Sequence, residues 1–165
     1  PEYKGYGNLA YLGIITCNVG QPKGSGSKDI EIIRDGKITR TNLGQYDTFF
    51  YRGDPHEEYI GYIFSEAYSF DKVVFTEGMQ FDNGGWFENG ILRIEALIDG
   101  SWKKLDVVSE PEYPNGNKQS DFGANFETYT FTFEPVKASG IRLIGSAGGS
   151  MHFISVAELE VYGSR

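Results

Sequence analysis

The chain has 165 residues, a formal net charge of −8 and 15% aromatic residues, a length that fits one domain able to bury its own core without disulfides. The acidic balance excludes the basic footprint of a nucleic-acid binder and disfavours an anionic membrane surface. Two histidines and one cysteine allow neither an internal disulfide nor a cysteine-rich zinc site, and no apolar run reaches the ~18 residues needed to span a bilayer.

Leu9–Thr16 opens with an apolar, β-branched run that reads as a strand. Cys17 follows among Ile14, Ile15 and Val19 and reads as a buried thiol. Gln21–Lys28 (QPKGSGSK) is polar and glycine-rich and reads as a flexible loop. Asp29–Arg34 reads as a short strand ending at the turn pair Asp35-Gly36. Asn42–Tyr46 admits at most one helical turn. Tyr59–Phe64 and Phe70–Thr76 are aromatic and β-branched strands. Ile91–Ile98 and Trp102–Val108 flank Asp99-Gly100-Ser101, a hairpin connection, and Trp102 reads as core. Ser109–Asn125 is a long loop, with Tyr113 and Phe122 as secondary candidates to line a site. Glu127–Phe133 alternates strictly, with Tyr129, Phe131 and Phe133 on one side. Ile141–Ile144 and Phe153–Tyr162 complete roughly nine strands. Nowhere do apolar residues repeat at helical spacing, so the fold class is all-β, an antiparallel β-sandwich. Residues 1–162 read as one domain and Gly163–Arg165 as a cloning remnant. Arg142 reads as a salt-bridging surface residue.

The closing run, ISVAELEVYG, alternates except at Ala157–Glu158, where the pattern steps by one. A one-residue slip reverses every side chain, so it marks a bulge. This run is similar to the last strand of discoidin-type domains (coagulation factor V/VIII C-type), among them the family 32 carbohydrate-binding modules. Asn8-Leu9-Ala10, Asp35-Gly36 followed by Thr48-Phe49, EAYSFDKV and LIDGSW resemble further segments of that family in the same order. The resemblance implies a jelly-roll sandwich with ligand loops at one end. It also implies a structural calcium ion held by the carboxylates of Asp35 and Glu158, the hydroxyl and carbonyl of Thr48, and the carbonyls of Ile32, Lys37 and Ala157. Such a mixed oxygen set suits calcium.

Three segments concentrate residues that bind sugars, which take aromatic faces against C–H patches and directional polar groups against hydroxyls. They are YRGDPHEE (51–58), FDNGGWFEN (81–89) and GSAGGSMHF (145–153). Trp86 or Phe87 would stack on a sugar ring. Arg52, His56, Asp82 and Asn83 would bind hydroxyls, and His152 or Phe153 would close the far side. No Gly-x-Ser-x-Gly elbow, His-x-x-x-His pair or phosphate-cradling loop occurs, and abundant acids alone do not define a glycosidase pair. With the family resemblance, the chain reads as a non-catalytic carbohydrate-binding module of a secreted glycan-active protein. Its expected partners are a carbohydrate and a covalently attached catalytic domain, and the isolated module is expected to be a monomer. An extracellular adhesion or protein-interaction domain is the other reading.

Overall fold

A computed structural model describes residues 5–50, 54–88, 92–114 and 126–165. Their strands are β1 (Gly7–Asn8), β2 (Ile14–Cys17), β3 (Tyr46–Asp47), β4 (Glu57–Glu77), β5 (Arg93–Ile98), β6 (Ser101–Lys104), β7 (Val108–Glu110), β8 (Thr128–Ser146) and β9 (Ser155–Ser164). All pairings between them are antiparallel. Among the described residues there is no α-helix, and none is long and apolar enough to cross a membrane.

Two strands that the sequence divides into four are continuous. β4 and β8 pair along nearly their whole length, with the register breaking between Ile63 and Tyr68. Ser65, Glu66 and Ala67 are exposed at that break, a corner at which the long strands bend. Beyond it each serves the other layer of a β-sandwich. The first half of β4 joins β2 and the second half of β8, which continues to β5 and β6. The second half of β4 joins β9, flanked by β1 and β3, and the first half of β8, flanked by β7.

The core between the layers follows the period-two pattern of the sequence. Tyr62, Phe70, Val73, Phe75, Ile94, Tyr129, Ile141, Leu143, Leu159 and Val161 are all buried, and Tyr129 and Phe131 alternate with outward threonines as expected. Asp99-Gly100 makes the hairpin, with positive φ at both positions joining Ile98 to Ser101. Such a turn favours Asp-Gly because only small or turn-forming residues tolerate that backbone. β9 runs through Gly163 and Ser164, which pair with Phe70 and Ser69, so the sheet extends past Tyr162.

Two short elements differ from the sequence reading. Ile30–Arg34 is a 3₁₀ helix rather than a strand, with the Asp29 side chain capping its first turn. Part of the opening run, Ala10–Leu12, is likewise 3₁₀. Both are too short for periodicity to separate strand from helix.

Trp102 is half-buried and covers the outer face of the layer that holds β5 and β6 rather than the core. Its ring lies 4.2 Å from the Arg142 guanidinium carbon, and Tyr59 lies 4.6 Å away. Arg142 bonds Glu95 at 2.7 Å, and Arg93 bonds the other Glu95 oxygen at 3.0 Å. Burial alone would raise the Glu95 carboxyl, but the two arginines hold it below its ordinary range. A depressed carboxylate contributes stability that is present above its unfolded pKa and lost as pH falls through the folded value. Acid melting should therefore lose part of its steepness below pH ~4.5 in Glu95→Gln. Unchanged acid limbs in the two proteins would refute this. The Cys17 thiol is pushed up to about 11, mainly by burial, which leaves little thiolate at neutral pH.

Candidate functional site

The loops at one end of the sandwich enclose two neighbouring cavities. The first, about 360 Å³, is lined by Lys23, Gly24, Ser25, Asp47, Phe49, Phe81, Asn83 and Phe153. The second, about 240 Å³, is lined by residues that include Gln21, Thr48, Phe50, His56, Glu58 and His152.

The first cavity has aromatic walls. Phe153 meets Phe49 edge-on at 5.2 Å between centroids and lies 6.0 Å from Phe81. Phe81 is held by a tight turn, in which its N–H donates to the Gly84 carbonyl at 2.8 Å. Asn83 lines the same space. The opposite wall is the QPKGSGSK segment, and it is anchored rather than loose. The Lys23 N–H donates to Phe49 O, the Ser27 N–H to Gln45 O and the Gly26 N–H to Asp47 Oδ2. The Lys28 ammonium donates to the carbonyls of Gly24 and Gly26. Asp47, buried at the end of β3, also accepts from the Phe49 N–H at 3.3 Å. Burial pushes its carboxyl above the usual carboxylate range, and these backbone donors oppose that shift.

The second cavity has polar depth and one exposed ring. Phe50 is 41% exposed, whereas Glu58 beneath it is 1% exposed. His56 Nε2 lies 2.6 Å from Glu58 Oε2, and its Nδ1 lies 2.8 Å from the Asp54 carbonyl. The other Glu58 oxygen accepts from the Thr48 hydroxyl, which in turn accepts from the Ile154 N–H at 2.9 Å. Both imidazole nitrogens of His56 are thus engaged by protein. His152 differs. Its Nδ1 faces the Ala147 carbonyl at 3.3 Å and so donates, leaving Nε2 as an acceptor with no protein partner among the described residues. Its backbone is left-handed, with φ 51°, a conformation that costs a non-glycine residue free energy and gathers at functional sites.

Of the sugar-binding candidates, His56, His152, Asn83 and Phe153 line one cavity or the other. Asp82 is exposed and lines neither. Arg52 lies outside the described residues, as does Phe122. Trp86 and Phe87 are corrected: they are 5% and 0% exposed. The turn before them folds back on the Gly-rich segment, where the Gly148 N–H donates to Trp86 O at 2.8 Å and Phe87 bridges Ala147. A Cβ on Gly148 would stand 2.3 Å from the indole, so that glycine admits the ring. Phe87 packs on Phe75 and Tyr113, and Tyr113, bonded to the Phe87 backbone, belongs to the core as well. Composition singled out the largest aromatic on an apparent turn; burial selects Phe49, Phe50 and Phe81 instead. Phe81 opens one of the segments that composition singles out, whereas Phe49, Lys23, Ser25 and Asp47 carry no site motif, and their convergence depends on the pairing of β3 with β9.

The expected cation site divides. The slip in β9 is real: Thr76 pairs with Glu158 and Glu77 with Val156, leaving Ala157 as the extra residue. This turns Glu158 inward, where it accepts from the Gly36 N–H at 2.9 Å. Glu158 Oε1 is buried without a hydrogen-bond partner among the described residues. Burial first, and then the neighbouring Asp35 carboxylate, push the Glu158 carboxyl up to about 8. Asp35 caps the 3₁₀ helix that contains Ile32, and its Oδ1 accepts from the Lys37 N–H. Two carboxylates and an orphaned buried oxygen fit a cation, although no third acidic, His or Cys side chain joins them among the described residues. Thr48 is corrected out of this set. Its N–H donates to the Ile154 carbonyl, four residues before Glu158 along the chain, and its hydroxyl is committed to Glu58 and Ile154.

No protein-family model matches the sequence, and no curated protein does. Solved structures do match along nearly the whole chain. A family 32 carbohydrate-binding module from Clostridium perfringens, solved with galactose, aligns at a TM-score of 0.64 and 19% identity, covering 96% of this chain and 98% of that one. Another module of that family from the same organism, solved with GalNAc-β-1,3-galactose, aligns at 0.64 and 18% identity over 95% and 100%. A chitosan-binding module of a Paenibacillus chitosanase/glucanase aligns at 0.62 and 17% identity over 95% and 99%. The chain has the discoidin-like galactose-binding fold that these modules share.

Proposed function

We propose that this chain, which has the fold of the family 32 modules, is a non-catalytic carbohydrate-binding module that seats a sugar in the loop-end cavities. The observation that carries the reading is the phenylalanine-walled cavity of Phe49, Phe81 and Phe153 with Asn83 at its edge. Aromatic faces take the C–H side of a pyranose, and a side-chain amide both donates to and accepts from hydroxyls. Binding would be rigid-loop recognition without chemistry, and modest for one module because sugars must be desolvated. Avidity from neighbouring modules in a secreted, multi-domain glycan-active protein would compensate. Solved relatives of this fold include modules within larger chains: the Clostridium perfringens ZmpB structure holds two such modules beside an M60 catalytic domain.

A calcium ion would be held by Asp35 and Glu158, with the carbonyls of Ile32, Lys37 and Ala157 completing an oxygen shell. It would give Glu158 Oε1 the partner it lacks and neutralise two adjacent carboxylates. Its role would be structural, fixing the turn at Asp35 against β9.

A glycan array run with calcium and then with EDTA tests both statements. The expected result is retention on one glycan class. Calcium should raise the melting temperature of the protein, and Glu158→Gln should remove that response. Folded protein that retains no glycan in either condition would shift the function to the protein-interaction reading. An identical calcium response in Glu158→Gln would refute the cation site.

A further inference from the structure

The two loop-end cavities lie on opposite sides of a single ridge. Asp47, Phe49 and Phe153 line the first; Thr48, Phe50 and His152 line the second. The ridge is therefore built from two short stretches, 47–50 and 152–153, whose successive residues line alternate cavities. Consecutive Cα atoms are only about 3.8 Å apart, so the cavities are immediate neighbours. Their chemistries differ. The first offers three phenylalanine rings and the Asn83 amide; the second offers the exposed Phe50 ring and the acceptor Nε2 of His152. Neither cavity alone is roomy: 360 Å³ falls within the low end of the small-ligand range, which starts at about 300 Å³, and 240 Å³ falls below it.

We infer that the two cavities are subsites of one cleft, so that the ligand is at least a disaccharide lying across the ridge. One sugar unit stacks in the phenylalanine cavity. The adjoining unit lies against Phe50 and donates a hydroxyl to His152 Nε2. The buried chain from Ile154 through Thr48 and Glu58 to His56 is the floor of the second subsite. With both nitrogens engaged, His56 shapes that floor rather than reading hydroxyls. This inference rests on the carbohydrate reading and adds the size of the ligand and the division of labour between the cavities.

Titration calorimetry tests it with galactose, N-acetylgalactosamine and glucosamine, set against β-linked di- and trisaccharides that contain them. A disaccharide should bind at least about tenfold more tightly than its best single unit. Phe50→Ala, at an exposed position, should remove most of that gain and bring the disaccharide close to the affinity of its best single unit. Phe81→Ala should weaken mono- and disaccharide alike by about tenfold, with Phe81→Leu as the control that keeps the apolar wall. Equal affinity for mono- and disaccharide, or a disaccharide affinity untouched by Phe50→Ala, would overturn the two-subsite cleft and leave the carbohydrate reading standing. No binding to any probe by folded protein would remove both.

Discussion

Trp86→Ala is expected to destabilise the fold by about 3–5 kcal/mol, the ordinary cost of deleting a large buried aromatic. For a chain of this size that corresponds to a drop in melting temperature of roughly 10 °C. The indole is 5% exposed and seats against the backbone of Gly148. Its loss would empty the space between the turn at 82–85 and the Gly-rich segment that leads to His152. The Gly148 N–H bonds the Trp86 carbonyl and the Gly85 N–H bonds the Phe153 carbonyl, so the same truncation loosens the frame of the phenylalanine cavity. Binding should fall as a consequence of stability. Trp86→Phe should cost clearly less, because it keeps a ring and removes the buried indole N–H that has no hydrogen-bond partner among the described residues. A thermal or urea melt of the three proteins decides the matter. A Trp86→Ala protein that melts within 1–2 °C of the parent yet loses sugar retention would return Trp86 to the binding surface.

Asp47→Ala should separate binding from folding in the opposite sense. The Asp47 carboxylate lies inside the wall of the first cavity, accepting from the N–H groups of Gly26 and Phe49. Cβ atoms placed on Gly24 and Gly26 would fall 2.1 and 2.6 Å from its oxygens, so the segment wraps closely around it. Removing the carboxylate leaves two backbone donors without an acceptor, at about 1–3 kcal/mol for each that stays buried. The segment 23–27 can move outward and rehydrate, which recovers part of that cost and opens the cavity. The expected outcome is a loss of glycan affinity of at least tenfold with a moderate fall in stability. Asp47→Asn retains one acceptor oxygen and should be intermediate. Glycan affinity maintained in Asp47→Ala would show that the wall contributes nothing to recognition.

These two residues show where the sequence is legible and where it is not. Trp86 follows Asp-Asn-Gly-Gly, a pattern that reads as an exposed turn, and local pattern carries no information about Gly148, 62 positions later, which packs on the indole. Asp47 carries no motif, yet it anchors the loop that composition marks as flexible. Backbone hydrogen bonds from separated positions, Gly26 and Phe49, fix that loop, and polarity alone cannot reveal them. The slip at Ala157–Glu158 was legible because a period-two strand registers a single extra residue as a reversal of faces. Thr48 was not, since its distance from Glu158 is set by the register of β3 on β9.

Sequence by itself determined the all-β class, most strand cores, the Asp99-Gly100 hairpin and the bulge in β9, while the pairing of Asp35 with Glu158 came from the family resemblance. The former follow from local rules, alternation and turn chemistry. Only the tertiary structure decided that β4 and β8 each run through both layers, that Trp86 and Phe87 are buried, and that Phe49, Phe81 and Phe153 form one cavity beside that of Phe50 and His152. Those facts depend on register and bending between strands far apart in the chain. Local preference is blind to both, because the free energy that selects them comes from burying surfaces against each other.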